Sequence, residues 1–272
     1  MTRIGSRPAP AFALANAGRA YGATVALAPL SLEIAAGETV AVIGPSGAGK
    51  TTLLHLLAGV IRPDGGSVRI HGHALDALQP GRELSRLVGV IHQQYDLVPS
   101  LSVVHNVLAG RLGEWSLWRA LASLVAPRER RHALAALEQV GIAGKVDERA
   151  SRLSGGEQQR VALARLLVQD PRAIIADEPV SSVDPARAED IVRLLVRIAG
   201  EGERTLVASL HAPQLALRHF ARIIALRDGA LVFDRPAATV RPEDLDALYA
   251  LAPDGSPAPS VEAPATARWV AR

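Results

Sequence analysis

Gly44-Pro45-Ser46-Gly47-Ala48-Gly49-Lys50-Thr51 satisfies the pattern G-x-x-x-x-G-K-[ST] at every fixed position. Each residue type has a physical reason to be there. Glycine lets the backbone wrap a polyphosphate with its N–H groups turned inward. A helix starting near Lys50 brings its positive dipole end to the same phosphates. Lys50 adds a point charge for the β- and γ-phosphates, and the Thr51 hydroxyl is suited to ligate Mg2+, with Thr52 next in the helix. The apolar run 39–43 in front of the loop reads as a strand, and the leucines at 53, 54, 56 and 57 behind it read as a helix. A glycine-rich turn that meets a lysine by chance is a poor alternative in a chain whose only lysines are Lys50 and Lys145.

A phosphate loop of this kind calls for an acid at the end of a buried strand. Ala173-Ile174-Ile175-Ala176-Asp177-Glu178 supplies one, because a short, wholly apolar run is what a central parallel strand looks like. Asp177 is expected at the carboxyl end of that strand, where ligands bind in open α/β sheets, and its carboxylate suits Mg2+ directly or through water. Glu178 is expected on the other side of the pleat, placed to polarise an attacking water. By itself a strand ending in Asp-Glu is more often a capped surface turn; it gains meaning from the phosphate loop.

Outward from this pair, strand and helix signals alternate, which predicts an α/β fold. Strands are expected at 30–34, 68–70, 88–91, 205–210, 223–226 and 230–233, and a helix over about 186–199. Between about 101 and 170 the pattern is helical, with Pro127 at a first helical position and a stripe of Leu134, Leu137 and Val140 ended by Gly141. Residues 1–10 read as a loose arm and 252–272, rich in Pro, Ala and Ser, as a disordered tail.

Composition narrows the function classes. The 272 residues are 49% hydrophobic and 21% charged, which excludes a mainly disordered or collagen-like chain. The absence of cysteine excludes a disulfide framework, a thiolate metal site and a cysteine nucleophile. No apolar run approaches a membrane span or a secretory leader, so the chain is expected to be soluble and cytoplasmic. The pI of about 9.8 is misleading as a nucleic-acid signal. Basic residues number 30 against 27 acidic, and nearly all the basic ones are arginines, which do not titrate below about pH 12. With aromatics at 3% and no long basic block, no nucleic-acid partner is expected.

Leu153-Ser154-Gly155-Gly156-Glu157-Gln158-Gln159-Arg160 decides the rest. Read locally, Ser154 caps a helix, Gly155-Gly156 is a turn, and Leu163, Leu166 and Leu167 face the core. The full string is similar to the signature motif of ABC-transporter ATPases, and the resemblance covers about residues 11–250. It implies a P-loop ATPase fold: a RecA-like sheet core, an antiparallel β-subdomain and a helical subdomain inserted at about 101–170, all within 11–251.

The resemblance also assigns roles. Tyr21 matches the aromatic that stacks on adenine, and Gln93 the glutamine that contacts Mg2+ and the attacking water. Asp184, in Ser181-Ser182-Val183-Asp184, matches the loop that crosses the dimer interface, and His211 the switch histidine at the γ-phosphate. Core filler, a loop amide and a helix cap are the plain alternatives for Tyr21, Gln93 and His211. Ser154, Gly155 and Gly156 are implied to face the phosphate loop of a second copy, so a homodimer that binds ATP and Mg2+ is implied. Permease subunits, an indirect link to an external solute-binding protein and a peripheral place on the cytoplasmic face of the inner membrane follow from the same resemblance.

Within the family, Arg111-Leu112-Gly113, Trp118-Arg119, Ala176–Val180 and Ser209-Leu210-His211 resemble phosphonate importer ATPases. An importer of another solute, an exporter or a cell-division ATPase is the alternative; a DNA-associated ATPase is disfavoured because no sustained heptads separate Lys50 from Asp177. Trp115, Leu117, Trp118 and Leu121 read equally well as core of the helical segment. His92, Glu157 and Ser182-Val183 depart from the usual family residues.

Overall fold

The Ala-rich start of the chain builds more strand than its weak alternation suggests. In the computed structural model, which describes residues 9–79, 81–92, 95–125, 129–180 and 184–250, β1 (Phe12–Tyr21) and β2 (Thr24–Ile34) pair antiparallel across Gly22. The sequence reads as strand-rich over about 11–43 but delimits no strand before 30, because alanines at 13, 15, 17 and 20 of β1 carry little hydrophobic contrast. Next come β3 (Thr39–Ile43), α1 (Lys50–Leu57), β4 (Gly65–Ile70), β5 (His73–Ala74), α2 (Arg82–Leu87) and β6 (Val88–Ile91). The helices α3 (Val103–Leu108), α4 (Leu117–Val125), α5 (Arg130–Gln139) and α6 (Gly155–Gln169) follow. The chain then alternates through β7 (Ala173–Ala176), α7 (Pro185–Glu201), β8 (Thr205–Ser209), α8 (Pro213–His219), β9 (Arg222–Arg227), β10 (Ala230–Pro236) and α9 (Pro242–Tyr249).

Two sheets result. One is four-stranded and antiparallel in the order β2-β1-β4-β5; the other is six-stranded in the order β10-β9-β3-β8-β7-β6. In the second, only the β10/β9 hairpin is antiparallel. The period-two pleat divides its apolar residues between two cores. Val40, Val42, Ile175 and Val207 pack with α1 and the antiparallel sheet, whereas Ala41, Ile43, Ile174 and Leu206 pack with α3, α5, α6 and α7. The architecture is therefore an α/β sheet core with an antiparallel β unit and a helical segment, as the family resemblance implies.

Two expectations need correction or fall outside the described residues. Leu117, Trp118 and Leu121 are not core: they are 73%, 81% and 48% exposed, and only Trp115 packs partly against the interior. A short helix bounded by polar turns left their facing undetermined by pattern alone. Pro127 and the tail from 251 onward lie outside the described residues, and α5 begins at Arg130.

Because β3, β6, β7 and β8 are parallel, the segments that follow them emerge at one edge. Those segments are the glycine-rich loop after Ile43, His92 after Ile91, Asp177-Glu178 after Ala176, and Leu210-His211 after Ser209. This is the carboxyl edge at which open parallel sheets bind ligands.

Candidate active site

The glycine-rich loop is shaped by two glycines that nothing else can replace. Gly44 has φ 149° and Gly49 φ 93°, both in the region that L side chains rarely adopt. A Cβ at Gly44 would meet the Leu226 carbonyl at 2.0 Å, and one at Gly49 the Ala26 carbonyl at 2.4 Å. The loop therefore lies tight against β9 and β2, and α1 starts directly behind it with Gly49 as N-cap and no side-chain cap. The first-turn N–H groups of α1 thus have no capping oxygen from Gly49.

Lys50, 5% exposed, folds back into the loop. Its ammonium donates to the carbonyls of Gly44 and Pro45 at 2.9 Å each. Burial pushes its pKa down from the ordinary lysine value, and the charges of Glu178 and Asp177 push it back up. The ammonium is thereby held on the inside of the loop, where phosphate oxygens would compete for it.

Beside it, three oxygens meet. Thr51 Oγ1 donates to Asp177 Oδ1 at 3.4 Å, and Ser209 Oγ donates to the same oxygen at 2.7 Å. The Ser209 hydroxyl also accepts the backbone N–H of Glu178 at 2.8 Å. Ser209 is fully buried, and its sequence context marks it only as part of the subfamily-like string Ser209-Leu210-His211, with no role at the site. The contact arises from register: Ala176 of β7 pairs with Ala208 of β8, so the next residues, Asp177 and Ser209, come side by side. Strand order is not written in the sequence, so this partner was hidden.

Glu178 does not follow the pleat, as the sequence reading had it. Strand β7 ends at Ala176, and Glu178 has φ 49°, a left-handed bend that a non-glycine residue adopts only when its surroundings hold it there. The Ser209 hydroxyl on its N–H is one such restraint. The bend delivers the carboxylate to His211, with Glu178 Oε1 2.5 Å from His211 Nε2. Lys50, Thr51, Asp177, Glu178 and His211 thus form one connected cluster, with Ser209 as its centre.

The removal of the Ser209 hydroxyl has a definite expected outcome. Hydrogen bonds to charged groups contribute about 1.5–3 kcal/mol, so Ser209→Ala should lower kcat for nucleotide hydrolysis roughly tenfold or more. KM for the nucleotide should stay close to its parent value, since the loop and Lys50 are untouched. Steady-state kinetics check this, and an unchanged kcat would show that Ser209 does not position the carboxylates.

Ser154, Gly155 and Gly156 sit elsewhere. Ser154 and Gly156 line a separate recess of about 350 Å3 together with Ile142, Arg160, Arg187 and Asp190, and no residue of the loop 44–51 takes part. Ser154 caps α6 in a reciprocal box: its backbone N–H donates to Glu157 Oε2 at 2.9 Å and its Oγ accepts the Glu157 N–H at 3.4 Å. The Ser154 N–H, and the Ser154 hydroxyl that donates to Glu157 Oε2 at 3.0 Å, hold the Glu157 carboxyl below the usual range, with Lys145 nearby. A Cβ on Gly155 or Gly156 would meet nothing within 4 Å, and neither has a positive φ. Two consecutive glycines in a first helical turn cost about 0.5–1 kcal/mol each relative to alanine. Nothing among the described residues requires them.

Gln159 is a second residue that pattern reading missed. It is 1% exposed, and its amide donates to the Pro179 carbonyl at 2.5 Å, tying α6 to the turn after Glu178. Asp184 caps α7 by accepting the Arg187 N–H at 3.1 Å. Tyr21 is 49% exposed, with the Arg19 guanidinium 5.2 Å from its ring centre. Gln93 and Ser181–Val183 lie outside the described residues.

The chain is 54% identical over 246 residues to the Phosphonates import ATP-binding protein PhnC of Anaeromyxobacter dehalogenans, covering 89% of this chain and 49% of that one. It thus spans about half the length of that relative. It is also 50% identical over 227 residues to the Phosphonates import ATP-binding protein PhnC 2 of Pseudomonas aeruginosa, covering 83% and 85% of the two chains. Among solved structures it resembles a dimeric bacterial ABC transporter cassette, with TM-score 0.72 and 30% identity over 83% of this chain and 98% of the other. A further likeness, with TM-score 0.69 and the same identity and coverage, is to a dimeric post-hydrolysis cassette bound to ADP and Pi. Residues 27–181, which hold the phosphate loop, the signature and Asp177-Glu178, match the ABC transporter family, and the chain belongs to it.

Proposed function

We propose that this chain is the ATP-hydrolysing subunit of an ABC importer that carries phosphonates or related phosphorus oxyanions. The observation that carries the hydrolytic part is the cluster at the carboxyl edge of the sheet, where Lys50, Thr51, Asp177, Glu178 and His211 converge. The solute rests on the names of the relatives and on the subfamily-like stretches at 111–119 and 176–180.

The loop from Gly44 to Thr52 wraps the ATP phosphates, and Lys50 exchanges its carbonyl partners for β- and γ-phosphate oxygens. Tyr21, exposed on β1, offers its ring face to adenine. The oxygens of Thr51 and Asp177, already in contact, suit a small hard cation that prefers oxygen ligands, and Gln93 joins them by family resemblance. Mg2+ bound there would neutralise charge developing on the transferred phosphoryl group. Glu178 orients the attacking water and accepts its proton as the water oxygen bonds to the γ-phosphorus and the bond to the ADP oxygen breaks. His211 fixes the carboxylate in place.

Half of the site comes from a second copy. Ser154 and Gly155 are exposed, Gly156 is partly so, and the two glycines leave space that this chain does not fill. A partner's γ-phosphate seated against Ser154 and the start of α6 explains that space, since a helix N-terminus favours an anion. The homodimer docks on membrane-spanning permease subunits at the cytoplasmic face of the inner membrane. No helix among the described residues is itself long and apolar enough to cross a membrane.

The experiment is genetic. Deletion of the gene should abolish growth on a phosphonate as sole phosphorus source and leave growth on phosphate intact. Normal accumulation of labelled phosphonate by the deletion strain, with no second importer present, would remove the solute from this reading.

A further inference from the structure

The hairpin of β1 and β2 rests on the phosphate loop. A Cβ at Gly49 would lie 2.4 Å from the Ala26 carbonyl, and Tyr21 pairs with Thr24 at the hairpin's end. Thr24 and Ala26 are about 7 Å apart along β2, so Tyr21 stands beside the loop that wraps the phosphates.

Two residues before Tyr21, β1 is irregular. Its register against β2 shifts on either side of Arg19, and bulges of this kind re-aim a side chain. Arg19 Nη1 donates to Asp64 Oδ1 at 2.5 Å and to the Arg62 carbonyl at 3.4 Å. The other Asp64 oxygen accepts the Ala20 N–H at 2.7 Å, and the Asp64 N–H donates to the Gly18 carbonyl at 2.9 Å. Residues 18–20 are thus pinned to the turn between α1, which begins at the phosphate loop, and β4.

Hydrogen bonding alone does not account for where the guanidinium lies, since its Nε is buried without a partner. A group that needed only Asp64 could keep that N–H in water. What it gains is the ring. Arg19 Cζ lies 5.2 Å from the centre of Tyr21, within the range of a cation–π contact. The tyrosine remains 49% exposed with the cation on one side, which leaves ring surface open to a second flat group.

We propose that Arg19 is a positioning residue for nucleotide binding: held by Asp64, it backs the Tyr21 ring and presents the open side of that ring to the nucleobase. This rests on the reading of Tyr21 as the adenine platform. A ring ordered before the nucleotide arrives loses less freedom on binding, which is where the gain in affinity comes from. Through Asp64 and the turn after α1, the platform is set at a fixed place relative to the phosphate loop.

The test compares two ligands on the full chain, each with Mg2+: a non-hydrolysable ATP analogue, and inorganic tripolyphosphate, which has the phosphates and no base. Titrations are run by calorimetry in 0.15 M salt, where exposed charges more than about 8 Å apart are screened. Arg19→Gln and Arg19→Met both keep the stem and remove the cation. Each should weaken the ATP analogue about two- to fivefold and leave tripolyphosphate at its parent affinity. Tyr21→Ala should weaken the analogue at least as much, and adding Arg19→Gln to it should cost nothing further. Parent-like or tighter analogue binding in both Arg19 variants would overturn the proposal, as would an equal loss for tripolyphosphate, which marks a general structural role. A further loss on top of Tyr21→Ala would overturn it too, because Arg19 would then act without the ring. Parent affinity in Tyr21→Ala would remove the adenine reading itself and this proposal with it, whereas a loss there but in neither Arg19 variant would remove this proposal alone.

Discussion

A Glu178→Gln chain should bind ATP like the parent and hydrolyse it about 10²–10⁴-fold more slowly. The amide oxygen of glutamine still accepts from His211 Nε2, which lies 2.5 Å from the carboxylate in the parent, so the side chain keeps its place. The backbone bend at φ 49° and the bond from the Glu178 N–H to Ser209 are also kept. What disappears is the ability to take a proton from water. Equilibrium nucleotide binding and single-turnover hydrolysis separate the two effects, and parent-like turnover would remove Glu178 from the chemistry. A matching loss of ATP affinity would point to collapse of the cluster instead.

Ser154→Arg should silence hydrolysis while leaving ATP affinity through Lys50 intact. Within its own chain Ser154 does no more than cap α6, and loss of that cap costs about 1 kcal/mol of stability. Melting should therefore fall by only a few degrees, while turnover falls by at least two orders of magnitude. A large exposed cation placed where a partner's phosphate is to sit would hold the two copies apart. Mixed with Lys50→Ala chains, the Ser154→Arg chain regains no more than one intact site per dimer. That intact site takes its loop from one copy and its signature from the other. Full activity of Ser154→Arg alone would refute a shared site.

The parts of the site that a sequence can carry are those fixed by backbone need. Gly44 and Gly49 announce themselves because a side chain there would collide with Leu226 and Ala26. Strand β7 was legible because burial on both faces leaves it wholly apolar. Ser209 was not legible, since a serine ahead of a histidine has no meaning until β7 and β8 are known to be neighbours in register. Gln159 was hidden likewise, because its partner Pro179 lies across the fold. The backbone of Glu178 departs from the expected pleat for a related reason. Alternation holds inside a strand, and β7 had already ended. Helix α4 shows a further limit: the spacing of Leu117, Trp118 and Leu121 marks an apolar face but not what it meets.

In the proposed function two copies of this chain build each ATP site. Sedimentation of Glu178→Gln measures it most directly, because ATP should persist in that variant long enough to be weighed with the protein. Glu178→Gln should sediment as a dimer with ATP and a monomer with ADP, and as a monomer that still binds ATP once Ser154→Arg is added. A Glu178→Gln chain that stays monomeric at saturating ATP, or a dimer that forms equally well with Arg at position 154, would contradict it.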